Sequence, residues 1–276
     1  MTFKSIIVHL DDNHAGEQRV DAAVRLARRF GSRLRAIYST SKTRSDVDIA
    51  QLSPSEVARL IFEREARDRA EALLRRSAAA AALGNVEVRV LGVNPLDEAL
   101  AEMRCADLSI LAQPEIGSEV AEFDRRLLAQ ALLGTGGPTL VLPCAPSTVE
   151  IGQNVVIAWD GGREAARAVR DALPILASAL HTTLISVGER CRPGEDAEHS
   201  QVRIASFLAL HDVAADCVRM PSTIDPAEHL LSRLCDLGAD LLVMGAYGHA
   251  RVRELILGGV TRTMLEKMTV PLFLSH

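Results

Sequence analysis

The residues best placed to do chemistry lie near the C-terminus, in LLVMGAYGHARVRELILGGVTRTML, residues 241–265. An apolar run, LLVM, ends at Gly245; Gly248, Gly258 and Gly259 follow, the last two just before the helical pattern VTRTMLEKM. A glycine at a strand end lets a ligand approach the backbone closely. A glycine pair at a helix start leaves free N–H groups and the positive end of the helix dipole facing an anion. Two such cradles can hold a polyphosphate. Asp160 closes a second apolar run, NVVIAWD, and its carboxylate suits the hydroxyls of a sugar. His249, Arg251 and Arg253 adjoin Gly248. They are either solvated loop residues or the positive complement of such a polyphosphate, arginine offering the better fork. Spacing alone leaves a plainer reading open, in which these glycines serve turns and a helix cap.

The elements that must position these residues are written twice along the chain. SIIVHLDD, residues 5–12, matches NVVIAWDG, residues 154–161, and each ends on an aspartate, Asp11 or Asp160. A helical pattern and a second strand follow in both halves. Asn94–Pro95 matches Asp225–Pro226, and Ala106–Asp107–Leu108 matches Ala239–Asp240–Leu241. Each half closes on a proline-led strand, PTLVLP from Pro138 and PLFLS from Pro271. The pattern per half is β-α-β-α-β-α-β-α-β. Continuous apolar strands alternating with amphipathic helices predict an α/β fold, two tandem five-stranded parallel open sheets with helices on both faces. The halves are expected to be residues 1–146 and 147–276, meeting at the polar, proline-bearing segment 143–153. The first half also carries a polar insert, residues 41–55, and a long charged helix is expected over 56–83. LGTGGP, residues 133–138, reads as a turn into a strand.

Composition removes several classes of function. With 31 basic and 36 acidic residues the net charge is −5, which gives no basic surface for nucleic acid. Aromatic residues are 3%, too few for a base-stacking platform. No apolar run is long enough to span a bilayer, and Ile6–Val8 before Asp11 is too short for a secretory leader core, so a cytoplasmic protein without membrane attachment is expected. The five cysteines form no C-x-x-C pair, and the eight histidines are scattered, so neither a disulfide framework nor a metal cluster is expected. There is no G-x4-G-K-[S/T] and no G-x-S-x-G, and no nucleophile stands beside a base. The chain is not expected to be an enzyme, slow hydrolysis of a bound nucleotide aside.

The 241–265 stretch resembles the universal stress protein family in its tandem form, whose nucleotide-binding members carry G-x2-G-x9-G-[S/T] after the fourth strand. Gly245, Gly248 and Gly258 fall in register with all three glycines, and Val260–Thr261 resembles the usual continuation. Gly259 departs from the pattern, standing where Ser or Thr is expected. The resemblance extends over the whole chain and implies an adenine-nucleotide-alpha-hydrolase-like, Rossmann-like fold, with one adenine nucleotide (ATP, or ADP or AMP), with Mg2+ where the phosphates require it. It implies that Asp160, preceded by Trp159, contacts the adenosine, that the Val187 backbone reaches adenine, and that Met244 and Gly245 line the nucleoside. Gly248, Gly258, Gly259 and Val260 would then cradle phosphates. Core packing is an equal alternative for Trp159, Val187 and Met244. In the first half the corresponding glycine positions fall near Ala112, Glu115 and Arg125, so that half is expected to be degenerate and Asp11 a vestige or a structural cap. The two halves are expected to pack as an intrachain pseudo-dimer, with the final strands at the pairing edge; further association into a homodimer and any protein partner stay open. Two rival readings remain: an interaction module of this fold that binds no nucleotide, and a slow ATPase.

Overall fold

The structure is a computed structural model describing residues 2–10, 16–39, 53–84, 86–92, 94–114, 120–144, 150–187, 190–192, 195–220, 225–248 and 259–276. The first half runs β1 (Ser5–Leu10), α1 (Gly16–Phe30), β2 (Arg33–Tyr38), α2 (Pro54–Ala80), β3 (Glu87–Val90), α3 (Pro95–Met103), β4 (Leu108–Ala112), α4 (Val120–Gly134) and β5 (Thr139–Leu142). The second runs β6 (Asn154–Ala158), α5 (Arg163–Leu176), β7 (His181–Val187), β8 (Arg190–Arg192), β9 (Glu195–Asp196), α6 (Ala197–Ala209), β10 (Asp216–Met220), α7 (Pro226–Asp236), β11 (Leu241–Gly245), α8 (Gly259–Lys267) and β12 (Leu272–Ser275). The alternation read from the sequence is present in both halves. The antiparallel β8–β9 ribbon is an addition that the apolar pattern does not signal, because both strands are short and polar.

Two compact units form, Thr2–Thr135 and Gly136–His276. In the first, parallel strands lie in the order β4-β1-β2-β3. In the second, β10-β7-β6-β11-β12 are parallel. There β5 adds to β12 antiparallel, Phe273 opposite Leu140. This pairing takes β12 off the sheet edge, and its four residues are all buried. The outer strands β3 and β10 carry Glu87, Arg89, Asp216 and Arg219, charges that discourage further strand addition. The LGTGGP turn leads into β5, with Gly136 at φ +76.

The central strands are buried along nearly their whole length, as sheets covered on both faces require. With so few aromatic residues, close packing falls to alanines. On α5, Ala165, Ala168 and Ala172 share one face and lie against β11 and β12. The expected long helix is α2, which packs on α1 with Ala66, Ala70, Leu74 and Ala78 as its buried stripe. Among the described residues no helix is long and apolar enough to cross a membrane.

One device recurs in both units. Asp107 accepts the backbone N–H groups of Lys4 and Ser5 at 2.7 and 2.9 Å. Asp240 accepts those of Gly152, Gln153 and Asn154 at 2.7–3.1 Å. Asp107 thus ties the entry to β1 to the start of β4, and Asp240 ties the entry to β6 to the start of β11. The Pro-led helices differ in detail: Asp225 caps α7 through the N–H groups of Ala227 and Glu228, whereas Asn94 makes no side-chain cap on α3.

Candidate functional site

In the second unit, β7 lies on one side of β6 and β11 on the other. The strand order thus reverses between β6 and β11, and in an open parallel sheet the crevice beyond the C-terminal ends at such a point is the usual ligand position. The register Ala158–Met244 puts Trp159 and Asp160 just past β6, beside Gly245 at the end of β11.

Asp160 is exposed, and its Oδ1 accepts the Gly162 N–H at 2.7 Å. That turn launches α5 and fixes the carboxylate. Its Oδ2 faces Gly248, 3.3 Å from the point a Cβ there would occupy. Gly248 can thus face the crevice because it carries no side chain. Gly245 is a glycine for a different reason. A Cβ on it would stand 2.5 Å from the Ala165 nitrogen and 2.6 Å from the Glu164 carbonyl carbon. The first turn of α5 fills that space, so Gly245 serves close helix–strand packing. At Gly259, the first residue of α8, a Cβ would meet nothing within 4 Å.

Between them, Tyr247 takes φ +61, a left-handed conformation costing a non-glycine residue about 1–2 kcal/mol. Its N–H donates to Thr261 Oγ1 at 3.4 Å, joining the turn after β11 to the first turn of α8. Burial pushes its phenol up to about 12. Its ring meets His276 edge-on at 6.1 Å, and the His276 Nδ1 lies 2.9 Å from the Ala246 carbonyl.

The other anticipated residues divide by what they touch. The Trp159 indole N–H donates to Ser200 Oγ on α6 at 2.9 Å, and its backbone N–H to the Ile185 carbonyl. Met244 is in the core, which leaves its backbone to line the crevice. Val187 ends β7 opposite Met220. Gly259, Val260 and Thr261 form the first turn of α8, and the Thr261 side chain is buried. His249, Arg251 and Gly258 lie outside the described residues, as do Asp11 and Glu115. In the first unit β4 ends on Ala112, and Arg125 lies on α4.

Sequence reasoning missed Glu164. It is 4% exposed, paired with Arg163, and its Oε2 lies 3.5 Å from the position of a Gly248 Cβ. Burial raises its pKa, but hydrogen bonds from Arg163 and its own backbone, with the charges of Arg163 and His276, outweigh this and hold the carboxyl below its ordinary value. The signal was available: Glu164 precedes Ala168 and Ala172 at helical spacing, a charge on an otherwise apolar stripe. The strand ends therefore offer a fixed acceptor, Asp160, and the N–H groups that open α8, with Glu164 buried beneath the 245–248 turn and paired with Arg163. An acceptor suits sugar hydroxyls and the helix start suits an anion, so the residues present fit a nucleotide in part.

No family model matches the chain, and no curated protein sequence matches it. Solved structures do. A universal stress protein from Archaeoglobus fulgidus DSM 4304 superposes with a TM-score of 0.72 at 15% identity, covering 98% of this chain and 95% of that one. A protein described as a universal stress protein from Pseudomonas aeruginosa UCBPP-PA14 gives 0.59 at 15% identity, covering 99% and 93%. A protein of unknown function from Pseudomonas aeruginosa PAO1 gives 0.58 at 16%, covering 99% and 92%. Across both halves the chain has the universal stress protein fold.

Proposed function

We propose that this chain is a tandem universal stress protein that binds one adenine nucleotide in its C-terminal half and acts as a nucleotide-responsive, non-enzymatic component of a stress response. The observation that supports this best is the convergence of Asp160 and Gly248 across the crevice between β6 and β11, with α8 opening at Gly259. Asp160 accepts hydrogen bonds from the ribose; the N–H groups at the start of α8, with Gly258, receive phosphate, and Mg2+ accompanies a polyphosphate. The first half, with Ala112 where the second has Gly245, supports the fold and binds no nucleotide. Bound nucleotide stabilises the chain by mass action, and occupancy of the crevice is the signal.

Gly248→Val tests the reading. Its backbone lies outside the left-handed region, and the nearest atoms are side-chain oxygens, so the fold tolerates the change while the crevice is filled. ATP and adenosine should both lose binding in a variant that still melts cooperatively. Unchanged affinity removes the proposed site.

A further inference from the structure

The turn that carries Gly248 is held from two sides. Tyr247 stands at φ +61, a region that a non-glycine residue keeps only where its surroundings fix it. On one side its N–H donates to Thr261 Oγ1 at 3.4 Å. On the other, the Ala246 N–H donates to the Ser275 carbonyl at 2.8 Å, continuing the β11–β12 ladder, and His276 Nδ1 donates to the Ala246 carbonyl at 2.9 Å. The Tyr247 ring meets the same imidazole edge-on at 6.1 Å. We infer that His276 is a positioning residue of the ligand site, its imidazole locking the Ala246 peptide and so setting the turn that presents Gly248; the inference rests on the nucleotide reading above.

Ala246 is fully buried, so its carbonyl needs a donor from the protein. A carbonyl only accepts, so Nδ1 carries the proton, in the neutral ring and in the imidazolium alike. The bond therefore persists when the histidine titrates. Nor does the fold demand this brace. Matching Ala106–Asp107–Leu108 to Ala239–Asp240–Leu241, and Pro138 to Pro271, sets Pro114 at the place of Tyr247 and Pro143 at the place of His276. Proline is locked at negative φ, cannot take the left-handed turn, and brings no side-chain donor. The first half nonetheless builds β4 and β5. The left-handed residue and its imidazole brace thus occur together in the half that carries the glycines, and both are replaced in the half that lacks them.

Calorimetry of the intact chain with magnesium–ATP and with adenosine tests this. His276→Ala removes the donor and should weaken both ligands roughly 5- to 10-fold, the worth of one hydrogen bond. In the same variant the Tyr247 phenol is released from its buried place, and its tyrosinate transition should fall from about 12 toward 10.0 in the alkaline absorbance titration. His276→Asn puts an amide nitrogen where Nδ1 stood and should restore affinity and transition together. Tyr247→Pro copies Pro114 and should abolish binding of both ligands. Cooperative melting confirms that each variant folds. In folded variants, an affinity unchanged by His276→Ala, a transition that stays at about 12, or no recovery in His276→Asn overturns the brace and leaves the nucleotide site standing. Binding of neither ligand to the wild-type chain overturns both.

Discussion

The backbone nitrogen of Ala165 lies 2.5 Å from the point where a Cβ on Gly245 would stand. No side chain fits there unless α5 moves, and α5 is fixed by Ala168, Val169 and Ala172 against the sheet. Gly245→Ala should therefore destabilise the protein by about 3 kcal/mol, as overpacking of a tight contact does. Urea denaturation checks this through a lowered midpoint at unchanged slope. An unchanged midpoint would mean that Gly245 is not held by packing.

Asp240 and Asp107 make the same strand clamp in different surroundings. Asp240 is buried, and its removal leaves three N–H groups without their acceptor; Asp107 is exposed, and water replaces it. Asp240→Ala should cost about 3 kcal/mol and Asp107→Ala about 1 kcal/mol. Equal costs in chemical denaturation would contradict the burial argument.

Gly259 has open space at its Cβ position and lies at the start of α8. Gly259→Ser restores the hydroxyl that the family pattern carries, without steric cost. One added hydrogen bond to phosphate should strengthen nucleotide binding roughly 2- to 10-fold. Calorimetry with magnesium–ATP reads this directly, and weaker binding would mean that no phosphate reaches this turn.

Tyr247 supplies a pH signature. Burial pushes its phenol from 10.0 up to about 12, so the folded state holds its proton more tightly than the unfolded state. That contribution to stability is whole below pH 10 and is lost as pH rises through 12. The chain has two tyrosines, and Tyr247→Phe should remove one tyrosinate transition near pH 12 from the alkaline absorbance titration. A transition lost near pH 10 instead would place the phenol in water.

The duplicated architecture was legible because the clamp residues are part of it. The Ala-Asp-Leu triplets at 106–108 and 239–241 repeat since the aspartates tie β1 to β4 and β6 to β11. The Asp160 strand end and the start of α8 were also legible, one from a single apolar run and the other from a glycine before a helical pattern. What escaped depends on three-dimensional proximity. Gly245 and Gly248 look alike in sequence, yet one is filled by helix backbone and the other faces carboxylates. Glu164 reads as an ordinary first-turn acid, and only the approach of the 245–248 turn buries it. The Trp159 indole is held by Ser200, 41 residues on, a pairing that no local pattern encodes.

The central claim is one nucleotide site per chain, in the second half. Denaturing freshly purified protein, quantifying the adenine compounds released, and then titrating the stripped chain with magnesium–ATP and with adenosine counts that site. The account predicts a stoichiometry of one per chain, abolished by Gly248→Val. Two per chain would contradict the inert first half, and none with either ligand would make the protein an interaction module of this fold.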